Sequence, residues 1–90
     1  MHTDNKIYSI KFTKLAKKQF LKLDNKLKYR IKQSLLRIKI RPYSYIKKLV
    51  GNSSYRLRVG NHRIIMDIKN NELIILVLKI NHRKAIYKNL

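Results

Sequence analysis

The sequence predicts an α+β fold, a small twisted antiparallel β-sheet with an N-terminal helical hairpin packed on one face, and three observations predict it. Two stretches between Thr13 and Pro42 carry apolar residues at helical spacing. Three stretches from Tyr55 onward read as strands joined by short Gly- and Asn-bearing turns. The third observation is a hydrophobic content of 44%, rich in Ile and Leu, which suffices for a core although 23 Lys+Arg against 4 Asp+Glu leave a formal charge of +19 on 90 residues. A chain so charged with little apolar content would stay disordered. With two Gly, one Pro and neither linker nor repeat, residues 1–90 read as a single domain.

Met1 to Lys6 is expected to fray. Ile7-Tyr8-Ser9-Ile10-Lys11-Phe12 nearly alternates and reads as the first strand. Thr13 offers an N-cap hydroxyl to a helix in which Leu15, Ala16, Gln19, Phe20 and Leu23 recur at helical spacing. Asp24-Asn25 makes the break and caps a second helix with Leu27, Ile31, Leu35 and Ile38 inward; it must end before Pro42, because proline pushes the preceding residue out of the α region. Lys17, Lys18, Lys22, Lys28, Lys32 and Lys39 are expected mainly on the outer side, as a solvated face adding long-range attraction. Tyr43 to Ser54, with Lys47-Lys48-Leu49-Val50-Gly51, reads as a loop or partly helical connection. Tyr55-Arg56-Leu57-Arg58-Val59 alternates strictly. Gly60-Asn61 suits a type II′ turn, His62 to Lys69 returns, Asn70-Asn71 suits a type I′ turn, and Glu72 to Ile80 closes the meander.

The absence of Cys removes disulfides and thiolate metal sites and favours an intracellular protein. The longest apolar run, Leu73 to Leu78 with Ile80 beyond Lys79, is too short to span a bilayer, and the polar start lacks a signal peptide, so a soluble cytoplasmic protein with no membrane partner is expected. Self-repulsion among the unbalanced charges makes an anionic partner, nucleic acid or an acidic protein, part of the expected working state. Asp67 and Glu72 are expected to face opposite ways, the three His lack ligand spacing, and neither a Gly-rich phosphate loop nor a Ser-His-Asp order is present. No metal and no cofactor are expected.

A two-residue turn sets register, and register sets faces. With Gly60-Asn61 as the turn, Val59 pairs with His62, Arg58 with Arg63, Leu57 with Ile64 and Arg56 with Ile65. Arg56, Arg58 and Arg63 then share one face, and Tyr55, Leu57, Val59, Ile64 and Met66 share the other, where the helices belong. Two arginines directly opposed repel, so a cluster kept at that cost reads as a phosphate site; an outward face of generic positive charge is the alternative. Carrying the register through Asn70-Asn71 pairs Lys69 with Glu72, Asp67 with Ile74, Ile65 with Leu76 and Arg63 with Leu78. Ile80 and His82 would then join the arginine face above a floor of Ile65, Leu76 and Leu78. The C-terminal segment through Ile86 and Leu90, or a partner protein, is expected to cover that floor.

Three segments together, Lys47 to Gly51, Tyr55-Arg56-Leu57-Arg58-Val59-Gly60-Asn61-His62-Arg63-Ile64-Ile65, and Leu76 to Tyr87 with its His82-Arg83-Lys84-Ala85-Ile86-Tyr87 ending, strongly resemble the RelE branch of the RelE/ParE toxin superfamily over essentially the whole chain. The resemblance implies a ribosome-dependent endonuclease that cuts A-site mRNA by promoting attack of a ribose 2′-OH on the adjacent phosphate. It also implies silencing by a cognate acidic, RelB-like antitoxin that wraps the toxin, with a toxin–antitoxin heterotetramer among the arrangements it allows. By the same resemblance Arg56 and Arg58 fall where basic strand residues surround the scissile phosphate, Arg63 matches the arginine that binds it, Arg83 matches the C-terminal arginine, and Tyr87 the tyrosine that stacks on or orients the nucleotide. Lys47 and Lys48 join Arg56 as expected RNA-binding residues.

Two departures from the family pattern bear on the chemistry. Arg58 stands where some members use lysine as proton acceptor, and a guanidinium stays protonated; His62 stands where tyrosine is frequent. His82 is therefore the candidate for proton transfer, kept neutral by nearby arginines, with a structural role at a strand end as its alternative. Tyr87 has C-terminal packing as its alternative, and His62 is expected to pack beside Leu57 and Ile64. A ParE-like inhibitor of DNA gyrase and a non-catalytic RNA-binding protein remain the rival functions.

Overall fold

Two helices and one short helical turn lie between the first strand and the last four in the structure, a computed structural model that describes residues 7–82. The elements are β1 (Ser9–Phe12), α1 (Lys14–Leu21), α2 (Asn25–Ile40), a 3-10 turn (Pro42–Ser44), β2 (Lys47–Lys48), β3 (Tyr55–Val59), β4 (His62–Lys69) and β5 (Ile74–His82). The caps are those the residues call for. Thr13 accepts from the Ala16 N–H at 3.1 Å and Asp24 from the Leu27 N–H at 2.8 Å, each satisfying a first-turn donor that lacks a partner within its helix.

The sheet has five strands in the order β1-β5-β4-β3-β2. The meander β3 to β5 is antiparallel as expected, with the unexpected β2 added antiparallel to β3, but β1 lies parallel to β5 at one edge, so the sheet is mixed. Alternation identifies a strand without its direction; direction follows from the helical hairpin, which returns the chain over one face. That face carries the core, with Ala16, Ile31, Leu35 and Ile38 of the helices against Leu57, Val59, Ile64, Met66, Ile75, Val77 and Ile80.

The first hairpin has the expected register, with Arg58 opposite Arg63 and Leu57 opposite Ile64. Gly60 has φ +59 and Asn61 is not in the positive-φ region, as a type II′ turn requires. A Cβ at Gly60 would sit 3.1 Å from Nη1 of Arg30, the movable end of a long side chain, so the backbone decides the cost. Gly60→Ala is expected to destabilise by about 1–2 kcal/mol in urea titration, the cost of placing an L-residue in left-handed geometry.

The second hairpin departs from expectation. Its loop runs over 70–73 instead of two residues, with Leu73 at φ 54 and the Glu72 and Leu73 N–H groups bonded back to the carbonyls of Lys69 and Asn70. Asn70 is held from outside the loop, its Oδ1 accepting from the Tyr8 hydroxyl at 2.8 Å and the Tyr43 hydroxyl at 3.0 Å. Lys69 therefore pairs with Ile74 and Asp67 with Leu76, a slip of two that leaves faces unchanged. A β-bulge then intervenes, because Met66 pairs with Val77 and Ile65 with Lys79, leaving Leu78 unpaired. The start of α1 takes over here. Thr13 donates its N–H to the Val77 carbonyl at 3.0 Å and its hydroxyl to the Leu78 carbonyl at 2.8 Å, while Gln19 Oε1 accepts the Ile80 N–H at 2.6 Å.

Candidate nucleic-acid interface

The bulge reverses the side-chain parity of the last strand residues. Ile80 pairs with Ile64 and is buried in the core, Asn81 pairs with Arg63, and His82 pairs with His62. His82 is thus on the helix side of the sheet, and its expected place on the arginine face is corrected. Its ring lies 4.5 Å from that of His62, edge to face, at the mouth of a hollow shared with Asp24, Arg30 and Asn61. The floor expected from Ile65, Leu76 and Leu78 is altered too, since Lys79 and Asn81 now stand opposite Ile65 and Arg63. The segment expected to cover it, with Arg83 and Tyr87, lies outside the described residues.

Burial holds His62 below the ordinary imidazole value of 6.5, the neighbouring His82 pushes the same way, and Asp24 opposes both. An unfolded chain takes up a proton near that value that folded His62 declines. The stability contribution is therefore complete above about pH 6.5 and is lost as the pH falls through that value toward the folded pKa. Thermal midpoints are expected to drop on acidification below about pH 6.5, less steeply in His62→Asn than in the parent.

On the opposite face β3 and β4 bring Arg56, Arg58 and Arg63 together, as expected from their register. Arg58 and Arg63 are directly opposed, where Cα atoms of a pair lie about 4.5–5.5 Å apart. Asp67 is on the same face, but its carboxylate accepts from the buried Ser54 hydroxyl at 2.7 Å. Arg63 Nε is buried with no hydrogen-bond partner among the described residues. A buried donor left unpaired costs free energy, and guanidinium groups pair well with phosphate oxygens.

Of the lysines expected to bind RNA, Lys47 pairs with Arg56 and shares the arginine face, whereas Lys48 pairs with Tyr55 and points by alternation to the other. The segment read as a loop thus holds an edge strand. It also brings Tyr45, which the sequence reading overlooked, to a hollow of ≈190 Å³ lined by Tyr45, Lys47, Arg56 and Arg58. The signal was the alternation Tyr45-Ile46-Lys47, whose middle residue is buried. Arg58 also reaches a second hollow with Tyr29, Arg30, Gln33 and Arg37 of α2, so positive charge runs from the sheet face around the β3 edge onto the helix.

A helical hairpin covers one face of this mixed sheet while guanidinium groups gather on the other, an arrangement that defines a small basic domain with an arginine-bearing sheet face. The chain belongs to the family of ParE toxins of type II toxin–antitoxin systems (parDE), which it matches over residues 10–87. The expected membership of the RelE/ParE superfamily is thereby borne out, and the fold is that of RelE toxins. A RelBE toxin–antitoxin complex of Mycobacterium tuberculosis is similar with a TM-score of 0.78 at 20% identity, over 86% of this chain and 92% of that one. The RelE–RelB complex of Pyrococcus horikoshii gives 0.75 at 24%, over 86% and 96%. The RelB–RelE complex of Methanococcus jannaschii gives 0.69 at 27%, over 89% and 98%. A search of curated proteins gave no match. Among the described residues no helix is long and apolar enough to cross a membrane.

Proposed function

We propose that this toxin is a ribosome-dependent mRNA endonuclease that acts in the cytoplasm as one domain of residues 1–90 and is silenced by an acidic RelB-like antitoxin. The observation that carries the reading is the convergence of Arg56, Arg58 and Arg63 on one sheet face, with a buried Arg63 donor lacking an acceptor among the described residues. In the reaction the ribose 2′-oxygen bonds to phosphorus as its proton leaves. The P–O5′ bond then breaks and the 5′-oxygen is protonated, leaving a 2′,3′-cyclic phosphate and a 5′-hydroxyl. Charge builds on the phosphoryl oxygens in between, and fixed guanidinium groups stabilise it without reorganising. Arg83 and Tyr87 keep their expected roles as a further phosphate ligand and a base-positioning ring. Lys47 and the α2 cations Arg30 and Arg37 would meet RNA backbone, so binding should weaken steeply with salt.

Proton transfer is the part the bulge revises. His82 faces away from the arginines, so His82→Ala is expected to keep cleavage within about threefold of the parent, less than the 10²–10⁴ that general acid–base catalysis contributes. A loss of that size on programmed ribosomes would return the role to His82.

Expression in growing cells tests the function as a whole. Translation arrest with cuts inside ribosome-bound mRNA is the expected result. Intact mRNA with blocked DNA supercoiling would instead support gyrase inhibition, the reading the ParE family description favours. Harmless expression with tight RNA binding would indicate a binding module.

A further inference from the structure

The junction from α2 to β2 sets an aromatic ring beside the arginines. Pro42 opens one 3-10 turn, Ile46 is buried in the core, and its neighbours Tyr45 and Lys47 alternate to the far side of the backbone. Lys47 stands opposite Arg56, and Tyr45, Lys47, Arg56 and Arg58 line a single hollow of ≈190 Å³. Tyr8 and Tyr43 are occupied in holding the fold, both donating to Asn70, and the Tyr43 ring also packs edge-on against Tyr55 at 5.6 Å. Tyr45 is 51% exposed, and its hydroxyl has no hydrogen-bond partner among the described residues. A half-exposed aromatic ring lining the same hollow as three cations, with no acid among the described lining residues, matches the two needs of a nucleotide. The phosphate takes the charge, and the base takes the ring.

We infer that Tyr45 is a nucleobase-stacking residue, a sequence-tolerant subsite for the single-stranded RNA nucleotide adjoining the phosphate held by Arg56 and Arg58. The inference rests on the RNA-cleaving function proposed above and gives that face a second contact of different chemistry. Every base has a π face, so a ring on its own orients a nucleotide without reading its sequence. The effect of such a contact lies in affinity and placement; Tyr45 is a positioning residue.

The test compares binding of a short oligouridine with that of the same oligomer carrying one abasic ribose, using the purified chain and its Tyr45→Ala and Tyr45→Phe variants. Tyr45→Ala should weaken oligouridine binding about tenfold, within the range of stacking one base on an aromatic ring, and leave the abasic oligomer unchanged. Tyr45→Phe should retain both affinities. Equal loss on both oligomers, or no loss on either, overturns the inference. Tyr45→Ala chains should show the parent's circular dichroism, since the ring is half exposed. If the parent cuts no ribosome-bound mRNA while the base-dependent loss persists, the subsite stands and the endonuclease reading falls. If the parent cuts and Tyr45→Ala binds and cuts as well as the parent, the subsite falls and the reading stands.

Discussion

Replacing Arg63 with alanine is expected to lower mRNA cleavage about 10²–10³-fold, the range for removing one fixed donor to a developing oxyanion, while the fold survives. The side chain leaves the sheet on the face away from the helical hairpin, and among the described residues its buried Nε has no acceptor to lose. Arg63 also stands directly opposite Arg58. Like charges opposed across a strand pair destabilise, and alanine relieves that repulsion. The thermal midpoint of Arg63→Ala should therefore equal or exceed the parent's, most visibly at low salt, where screening is weakest. Activity and stability moving in opposite directions is the signature of a residue kept for function. A variant that lost both together would make Arg63 a structural residue.

Ile64→Ala should do the reverse, removing stability first and activity as a consequence. Ile64 is 0% exposed in β4, between Leu57 of β3 and Ile80 of β5 and under the helices. Truncating a buried isoleucine to alanine costs about 2–5 kcal/mol, from lost transfer energy and the cavity left behind. A 90-residue domain holds in all roughly 5–13 kcal/mol at typical per-residue stability, and +19 charges subtract from it. The urea midpoint should fall by a large fraction, and added salt should restore part of it by screening the self-repulsion. Ile64→Val, at about 0.5–1.5 kcal/mol, should remain folded and active.

How far the chain could be read from its residues is clearest at the two hairpins. Gly60-Asn61 supplies a residue that accepts positive φ where a type II′ turn needs one, so the register through Arg58 and Arg63 follows from local chemistry alone. Asn70-Asn71 has equal local claims. There the outcome is set from afar, by Tyr8 and Tyr43 on the Asn70 side chain and by Thr13 and Gln19 on the β5 backbone. Contacts separated by 27 to 65 residues leave no local pattern, and the bulge they accompany moved His82 to the other face. The arginine cluster was legible because it depends on one turn, and the histidine's place was not because it depends on two turns and a bulge. Tyr45 and Lys47 show a third case: three alternating residues, of which only Lys47 belongs to the two-residue edge strand, are too few to mark a strand in the sequence, yet both side chains line the hollow beside Arg56 and Arg58.

The central claim is that the arginine face activates a phosphate toward its neighbouring 2′-OH. It is tested most directly by presenting purified toxin with ribosomes programmed with a message carrying a single 2′-deoxy nucleotide immediately 5′ of the cut. The all-ribose message should be cut in the A-site codon to leave a 2′,3′-cyclic phosphate, and the 2′-deoxy message should stay intact. Cleavage of the 2′-deoxy message, or no cleavage of either on programmed ribosomes, would contradict it.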